Sequence, residues 1–379
     1  SMDGITLGEE EEKLGLNSSS TRQVFFNEVL VPISNLLGGR GKGFKIAMNA
    51  LNVGRIKLSA AVIDACKRAI SLSIQHANQR VQFGYPISNY GAIQHKLAEM
   101  SSNTYAVESS TYRASYDIEQ NITKLISEGY DEQQAHLKGV EEYAIECSIT
   151  KVLGSETVQF CTDEGIQIFG GMGYSAETPM EAAYRDARIS RIYEGTNEIN
   201  RMLIVAMLLK KAVKGSLNIM EPAMKLASEM MSIPSFEEHD TNDPLFLEKS
   251  YLKKLKKLFL IVAGKTIETY GLEIEKEQEI MMNLSDICIQ IYTAESCILR
   301  TEKIKNKEVY INLTQTYMFQ SIKKCQNAAE EIILSFKNID DKKLLLLSTK
   351  RFTKGYLINI KETRRKIAKR LIEENQYCF

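Results

Sequence analysis

One acidic side chain near the middle of the chain has the neighbours that a catalytic base requires. Glu194 lies between Tyr193 and Gly195, and a glycine-rich turn at 170–173 precedes it. A glycine allows the backbone to approach a ligand closely, and loop side chains often bind or catalyse. These residues favour one carboxylate held in a cleft. One alternative stays open, in which Glu194 is only a charge at the positive end of a helix dipole.

Other kinds of catalytic site find no support in the sequence. The four histidines form no His-Glu-x-x-His motif, and no Gly-x-Ser-x-Gly elbow or Cys-x-x-Cys pair is present. The glycine-rich run 38–43 contains Lys42, but Gly and Phe follow it where a phosphate-binding loop has Ser or Thr. We therefore interpret this run as a connector, predict no metal site, and find that the sequence argues against a hydrolase.

The composition predicts a mainly α, soluble, intracellular protein. Among 379 residues, Lys+Arg and Asp+Glu number 48 each, so no net field favours nucleic acid. Six prolines favour long helices. Seven widely spaced cysteines indicate free thiols in a reducing compartment. We find no signal peptide and no apolar run long enough to span a bilayer.

The first long helix carries one residue that does not suit a core. Apolar residues recur at spacings of three and four from Phe44 to Leu72, which predicts one helical stripe. Arg55 lies within that stripe. A buried guanidinium needs a partner oxygen, since an unpaired buried charge costs several kcal/mol or more. Alternatively the side chain extends to water, and the sequence alone does not decide between the two.

Further helical periodicity predicts two helical regions. Helices at about 90–119 and 131–168, and one beginning near Asn197, complete an up-down four-helix bundle over residues 41–215. A Met-rich helix at 224–231 and a polar linker at 232–244 follow. Helices near 245–270, 274–299, 310–336 and 344–374 then predict an additional all-helical domain over 216–379.

The first forty residues do not resemble the start of a domain. The stretch 23–32 predicts two short strands around a turn at Asn27 and Glu28. Because an isolated hairpin is marginal in water, we expect residues 1–40 to be the last strands of a larger β-domain. The Ser1-Met2 start is typical of the residue pair that recombinant expression leaves behind, so we expect an amino-terminal truncation.

Three short motifs occur in a recognisable order. They are Arg-Val-Gln-Phe-Gly at 80–84, Gln-Ile-Phe-Gly-Gly-Met-Gly-Tyr at 167–174 and Tyr-Glu-Gly-Thr-Asn-Glu at 193–198. Asn52-x-x-Arg55 precedes the first of them by one helix length. Together these motifs resemble the acyl-CoA dehydrogenase flavoenzymes over about residues 3–215. The added helical domain is similar to that of the very-long-chain branch.

The resemblance implies a flavin-dependent dehydrogenation of acyl-CoA thioesters in fatty-acid β-oxidation. Glu194 would remove a proton beside the thioester carbonyl, while a hydride leaves the adjacent carbon for FAD. The backbone N–H of the base would help to hold the carbonyl. The resemblance also places Arg55 beside the catalytic carboxylate. The positions that match substrate-binding residues are Asn52, Arg55, Tyr193 and Gly195.

The remaining motif residues match cofactor-binding positions of the family. Thr196 and Glu198 match flavin contacts that follow the base. The positions that match contacts to the pyrophosphate and adenosine end, supplied by a neighbouring subunit, are Arg80, Gln82, Phe83, Gln167, Gly170 and Gly171. The resemblance therefore implies a homodimer or dimer of dimers, with long-chain acyl-CoA and an electron-transferring flavoprotein as partners. The compartment would be the bacterial cytoplasm or the matrix side of a mitochondrion.

Two features limit what the resemblance implies. The family's amino-terminal helical domain and most of its β-domain lie outside this sequence, so we expect the isolated chain to bind flavin weakly or not at all and to be inactive. A non-catalytic assembly protein that retains the fold and an acyl-CoA oxidase are the alternatives. The basic, partly apolar stretch 350–370 is compatible with peripheral membrane contact, although a solvated helix face is the commoner use of such charges.

Overall fold

A computed structural model describes residues 3–218, 221–222, 226 and 242–379. Its helices are α1 (Gly43–Gln79), α2 (Gly91–Ser127), α3 (Glu132–Glu142), α4 (Ala144–Phe169), α5 (Gly171–Tyr174), α6 (Pro179–Arg188), α7 (Asn197–Val213), α8 (Phe246–Tyr270), α9 (Gln278–Lys303), α10 (Glu308–Ser335), α11 (Ile339–Thr353) and α12 (Ile360–Glu374). Its strands are β1 (Ile5–Glu10), β2 (Arg22–Phe26), β3 (Val81–Gln82) and β4 (Tyr85–Pro86). Most of the predicted Met-rich helix and most of the predicted linker lie outside the described residues.

The amino-terminal hairpin differs from its prediction. β1 pairs with β2 in antiparallel fashion, with Ile5 opposite Phe26, so the second strand precedes the expected turn at 27–28. The expected strand at 29–32 does not form, and Glu28 adopts a positive φ of 48° just after β2. The sequence interpretation missed β1 because the acidic run 9–12 overlaps it. Glu10 in this strand accepts hydrogen bonds from Ser20 and Arg22 at 2.6 Å each. These donors lower the pKa of Glu10 to about 2.

Apolar side chains of the hairpin and the following loop are exposed. Phe26 is 71% exposed, Leu30 92% and Ile33 86%. Contiguous exposed apolar surface is uncommon on an isolated soluble domain. This exposed apolar surface of the hairpin and loop is therefore suited to packing against other protein segments.

The bundle is built on the pairing of α1 with α4, and α2 and α7 complete it. α1 approaches α4 closely because residue 154 is a glycine. A Cβ there would lie 2.9 Å from Ser59 Oγ and 3.1 Å from a Val62 methyl. The prediction of a mainly α fold with a four-helix bundle and further helices is confirmed.

Helix boundaries differ from the predictions in several places, among them the following. α2 continues to Ser127, and the expected third helix divides at Tyr143 into α3 and α4. Asp131 caps α3 by accepting a hydrogen bond from the Gln134 N–H at 2.9 Å. α6 was not predicted, and the expected last helix divides into α11 and α12 around Gly355, which has a φ of 93°.

The carboxyl-terminal helices share a core with the bundle. α9, α10 and α12 all pack on α2. Across this boundary Tyr105 and Thr301 share a hydrogen bond of 2.8 Å, and Ser102 donates to the Leu313 carbonyl at 2.9 Å. The second helical region is thus joined to the first by buried polar and apolar contacts.

The basic stretch near the carboxyl terminus is not one amphipathic helix. Of its apolar residues, Phe352 is buried and Tyr356 and Ile360 are partly buried. Arg364 forms an ion pair with Glu99 of α2. Leu357, between the two helices, is 89% exposed. The arrangement favours the alternative of a solvated basic face.

α1 is long and apolar enough to cross a membrane by length and composition alone, which corrects the sequence expectation that no segment is. The core helix of a soluble protein meets the same criterion. α1 packs along α4 and carries the buried Asn49, Asn52 and Arg55. Its packing therefore accounts for its composition without a membrane.

We predict that Glu108→Gln destabilises the fold. Glu108 of α2 is 6% exposed and pairs with Lys67 of α1 and with Arg300 of α9, the latter at 2.8 Å. Loss of the charge leaves two cations without their anion and should cost about 2 kcal/mol. The midpoint of urea unfolding measures this. Glu273→Gln, which removes an exposed pair with Lys276, should change stability by less than about 0.5 kcal/mol; equal losses would contradict the expectation.

Candidate functional site

The Glu194 loop connects a short 3-10 turn, Ile189–Arg191, to α7 and has an unusual backbone. Glu194 has a φ of 58° and Gly195 a φ of 80°. A positive φ is uncommon for a residue with a side chain, costs on the order of 1 kcal/mol or more, and occurs often at functional sites. The loop therefore needs contacts from its surroundings to hold this shape.

The carboxylate of Glu194 lies directly on α1 at Gly54. A Cβ at residue 54 would lie 2.3 Å from Glu194 Oε2 and 2.5 Å from Glu194 Cδ. Only a glycine leaves this space. The sequence interpretation missed Gly54, although a glycine inside a long helix is itself a signal because it costs about 1 kcal/mol relative to alanine.

Arg55 is buried and contacts the loop, but through the backbone. It is 4% exposed, and its Nε donates to the Glu194 carbonyl at 3.2 Å while Nη1 donates to Asn52 Oδ1 at 2.9 Å. Within the described residues no ion pair within 4.0 Å joins Arg55 to the Glu194 carboxylate. Arg55 is therefore buried and does not extend to water, and its partner on Glu194 is the backbone carbonyl in place of the expected carboxylate. Burial also lowers the pKa of Arg55, while the nearby Cys147 and Glu194 charges oppose this.

Lys151 is a second buried cation under the loop, and the sequence interpretation missed it. It is fully buried on α4, and its Nζ donates to the Gly195 carbonyl and to Asn197 Oδ1 at 2.8 Å each. Burial lowers the pKa of Lys151 to about 8, and the Arg55 charge acts in the same direction. The sequence around Lys151 consists of apolar and small residues on every side of the helix, and this pattern could have indicated a buried lysine.

Asn200 and Thr196 complete the support of the loop. The Asn200 amide donates to the Gly195 carbonyl at 2.8 Å and to the Thr196 carbonyl at 3.0 Å. Thr196 caps α7, since its Oγ1 accepts from the Ile199 N–H at 3.3 Å. Glu198 is exposed in the first turn of α7, and a backbone hydrogen bond and then the Thr196 hydroxyl lower its pKa.

An apolar cavity of about 460 Å³ opens beside the loop. Tyr193, which is 46% exposed, lines it together with Leu14, Ile192 and Arg188. The Nη1 atom of Arg188 is buried and has no hydrogen-bond partner in the described part of the chain. The cavity thus combines mainly apolar walls with Arg188 in its lining.

A second group of predicted site residues lies at the other end of α1. Arg80 ends the helix, and the β3–β4 ribbon follows with Gln82 opposite Tyr85. Phe83 and Gly84 form its turn with φ values of 52° and 90°, which is the pattern of a type I′ turn. Phe83 is 87% exposed. The ribbon therefore presents an aromatic side chain and exposed backbone to the surroundings.

The glycine turn after α4 lies close to that end of α1. His76 stacks on Phe169 with ring centroids 4.2 Å apart. Gly170 has a φ of 61°, and no atom lies within 4 Å of a Cβ placed at Gly170 or Gly171. Gln167 is exposed beside them. The turn offers backbone that a ligand can approach closely.

The structure separates the predicted site residues into two groups. Asn52, Arg55 and the residues 193–198 form the first group. The ribbon and the glycine turn form the second. Arg55 and the end of α1 at Gln79 lie about 36 Å apart, at a rise of about 1.5 Å per residue. One chain does not bring the two groups together.

Comparison with known proteins places this geometry in a family. The family model "Acyl-CoA dehydrogenase, C-terminal domain" matches residues 41–209, and a second family model of the same description matches residues 254–351. A probable acyl-CoA dehydrogenase of Bacillus subtilis (strain 168) is 39% identical over 99% of this chain and 64% of its own length. The very long-chain specific mitochondrial acyl-CoA dehydrogenase of Homo sapiens is 42% identical over 53% of this chain and 28% of its length.

A solved structure extends the likeness to the whole fold. It is an acyl-CoA dehydrogenase from Bacillus anthracis complexed with FAD, with a TM-score of 0.96, 39% identity, and coverage of 100% of this chain and 65% of that chain. The chain spans less than two thirds of the length of these relatives. Both helical regions and their packing agree with that structure, and we conclude that the chain belongs to the acyl-CoA dehydrogenase family.

Proposed function

We propose that this chain supplies the catalytic base and part of the flavin site of a long-chain acyl-CoA dehydrogenase. The observation that carries the proposal is the position of the Glu194 carboxylate, which lies over Gly54 in a loop anchored by the buried Arg55. The reaction is the α,β-dehydrogenation of an acyl-CoA thioester. The names of the relatives support the substrate class, and the very-long-chain relative supports the acyl length.

Glu194 acts on the carbon next to the thioester carbonyl. Its carboxylate accepts the α-proton, and proton transfer by a positioned side chain typically contributes about 10²- to 10⁴-fold in rate. The loop geometry limits the motion of the carboxylate, because α1 forms the floor beneath it at Gly54. Asn52 and Arg55 hold the loop on that floor.

The backbone of the loop stabilises the negative charge that develops on the thioester oxygen. Within the described residues the Glu194 N–H has no hydrogen-bond acceptor. It is therefore available to the carbonyl oxygen of the substrate. A fixed backbone donor aimed at a developing oxyanion is among the strongest catalytic interactions in proteins.

The residues at the glycine turn and at the end of α1 fit the polar pyrophosphate part of an FAD molecule. The open space around Gly170 and Gly171 admits close approach of a pyrophosphate, and Arg80 supplies a positive charge near the same end of α1. Gln82, Phe83 and Gln167 would complete that end of the cofactor site, while Thr196 and Glu198 would contact the flavin end. When bound, FAD supplies the acceptor for the hydride that leaves the β-carbon.

Two copies of the chain form each site in this proposal. The flavin end and the adenosine end of one FAD cannot both reach the two residue groups of a single chain, because α1 holds these groups about 36 Å apart. A neighbouring copy that supplies the ribbon and the glycine turn removes the conflict. A homodimer, or a dimer of dimers, follows from this requirement.

We propose the cavity beside Tyr193 as a binding site for part of the substrate. Its apolar walls suit an aliphatic segment of the substrate, and Arg188 places a positive charge in its lining. We further propose an electron-transferring flavoprotein as the electron acceptor.

All seven cysteines are free thiols, which supports a reducing compartment such as the bacterial cytoplasm or mitochondrial matrix. Peripheral membrane contact stays a sequence prediction, for which Leu357 is the exposed apolar candidate.

Substitution of the base should abolish turnover. Glu194→Gln keeps the shape of the side chain but removes the proton acceptor, so kcat for a long-chain acyl-CoA should fall by about 10²-fold or more. Anaerobic dye reduction by the intact holoenzyme measures it. Glu177→Gln, an exposed loop carboxylate before α6, is the control and should retain full turnover. Near-normal kcat in Glu194→Gln would refute the assignment of the base.

Gly54→Ala should separate stability from activity. The added methyl displaces the Glu194 carboxylate, but alanine raises helix propensity by about 1 kcal/mol. We therefore expect an unchanged or higher melting temperature together with at least about a tenfold loss of kcat, as a misplaced catalytic group produces. Gly43→Ala, at an open position in the same helix, is the control. Full activity of Gly54→Ala would contradict the placement of the carboxylate.

A site shared between copies should show complementation. Glu194→Gln and Arg80→Ala are each expected to be poorly active alone. A heterodimer of the two variants contains one site with both Glu194 and Arg80, so co-expression should restore up to half of the wild-type activity per dimer. Activity and flavin content of the purified heterodimer measure this. If each chain formed its own complete site, the heterodimer would stay as inactive as its parents.

A further inference from the structure

A chain of polar contacts, buried at Lys151 and partly buried further out, leads from the Glu194 loop to the carboxyl-terminal helices. Lys151 donates both to the Gly195 carbonyl and to Asn197 Oδ1, at 2.8 Å each. Asn197 is 1% exposed, and its Nδ2 in turn donates a hydrogen bond to Glu156 Oε1 at 3.1 Å. Lys151 and Glu156 lie on α4, so the loop is tied first to the central helix of the bundle.

Arg201 extends this chain to the carboxyl-terminal helices. Its guanidinium contacts both oxygens of Glu156, at 2.8 and 3.2 Å, in a two-pronged arrangement. Its Nε donates to Asp286 Oδ1 on α9 at 2.8 Å. Arg201 is 9% exposed, whereas the side chains of Glu156 and Asp286 are each 36% exposed. Charge-assisted contacts of this kind hold geometry more strongly than neutral ones. Asp286 thus forms the outer end of a continuous chain that ends at the Gly195 carbonyl.

We propose that the carboxyl-terminal helices position the Glu194 loop through this chain, with Lys151, Arg201 and Asp286 as positioning residues. Glu194 and Gly195 both have positive φ values, so the loop depends on outside hydrogen bonds for its shape. Removal of Asp286 releases one side of Arg201, and the Glu156 carboxylate that Asn197 and Arg201 share is then free to shift. The catalytic meaning of the positioning rests on the proposed function, whereas the ordering of the loop does not.

The same helix offers a matched control. Glu295, also on α9, forms an ion pair with Arg113 of α2 at 3.0 Å and another with Lys256. This pair joins the two helical regions as the Asp286 pair does, but no series of hydrogen bonds and ion pairs among the described residues leads from it to the Glu194 loop. A general loosening of the interface would therefore affect Glu295→Gln and Asp286→Asn alike.

Hydrogen–deuterium exchange of the chain tests the proposal directly. We expect Asp286→Asn and Lys151→Met to raise the exchange rate of the amides in 189–200 by about threefold or more, since coupling of this kind changes local equilibria by such factors. Glu295→Gln should leave that segment at the wild-type rate. Asp286→Glu, which restores the carboxylate, should return exchange toward wild type.

The kinetic arm separates positioning from general stability. In the intact holoenzyme Asp286→Asn should lower kcat more than it raises KM, and Asp286→Glu should recover most of kcat. Unchanged exchange in Asp286→Asn, or equal acceleration in Glu295→Gln, would overturn the proposal. The proposed function fails by a different result, namely retained turnover in Glu194→Gln, so the two outcomes are distinguishable.

Discussion

The contact between the Glu194 loop and one turn of α1 is the constraint on which the site depends. A buried guanidinium without acceptors would cost several kcal/mol or more, and Arg55 meets this need with the Glu194 carbonyl and Asn52 Oδ1. The neighbouring Gly54 makes room for the carboxylate of the same residue. The electrostatic requirement of Arg55 therefore fixes the loop backbone, and the missing Cβ of Gly54 fixes where its side chain can lie.

The length and rigidity of α1 then determine how the site is assembled. The carboxyl-terminal segment clamps the second half of this helix, since Asn78 donates to the Ile372 carbonyl at 3.1 Å and the Tyr377 N–H donates to Ser71 Oγ at 3.0 Å. α4 packs along the first half through Gly154. A helix held at both ends cannot bend to bring Arg55 and Arg80 together. The helices beyond the bundle thus help to maintain the separation on which the proposal of a two-copy site rests.

The sequence predicted the parts of the structure that have a strong local pattern. α1 and α7 follow from helical periodicity, whereas the catalytic role of Glu194 stays a prediction from its motif. β1 did not follow, because acidic residues occupy it and only Glu10 pairs locally, with Arg22. The division at Tyr143 lies in a continuous helical pattern, where tertiary packing overrides propensity. Lys151 was missed because the partners that explain its burial, Gly195 and Asn197, are distant in the sequence.

The positive φ of Glu194 could not be predicted from the sequence. This backbone conformation decides in which direction the peptide groups of the loop point. Arg55 holds the Glu194 carbonyl, and Lys151 and Asn200 hold the Gly195 carbonyl, all from the buried side. In a trans peptide the N–H points opposite to the carbonyl of the same unit. The N–H groups of Gly195 and Thr196 are therefore directed away from the buried cations. Arg55 and Lys151 thus compensate the carbonyl side of these two peptide units. The Glu194 N–H, which is the donor proposed for the substrate, belongs to the preceding peptide unit.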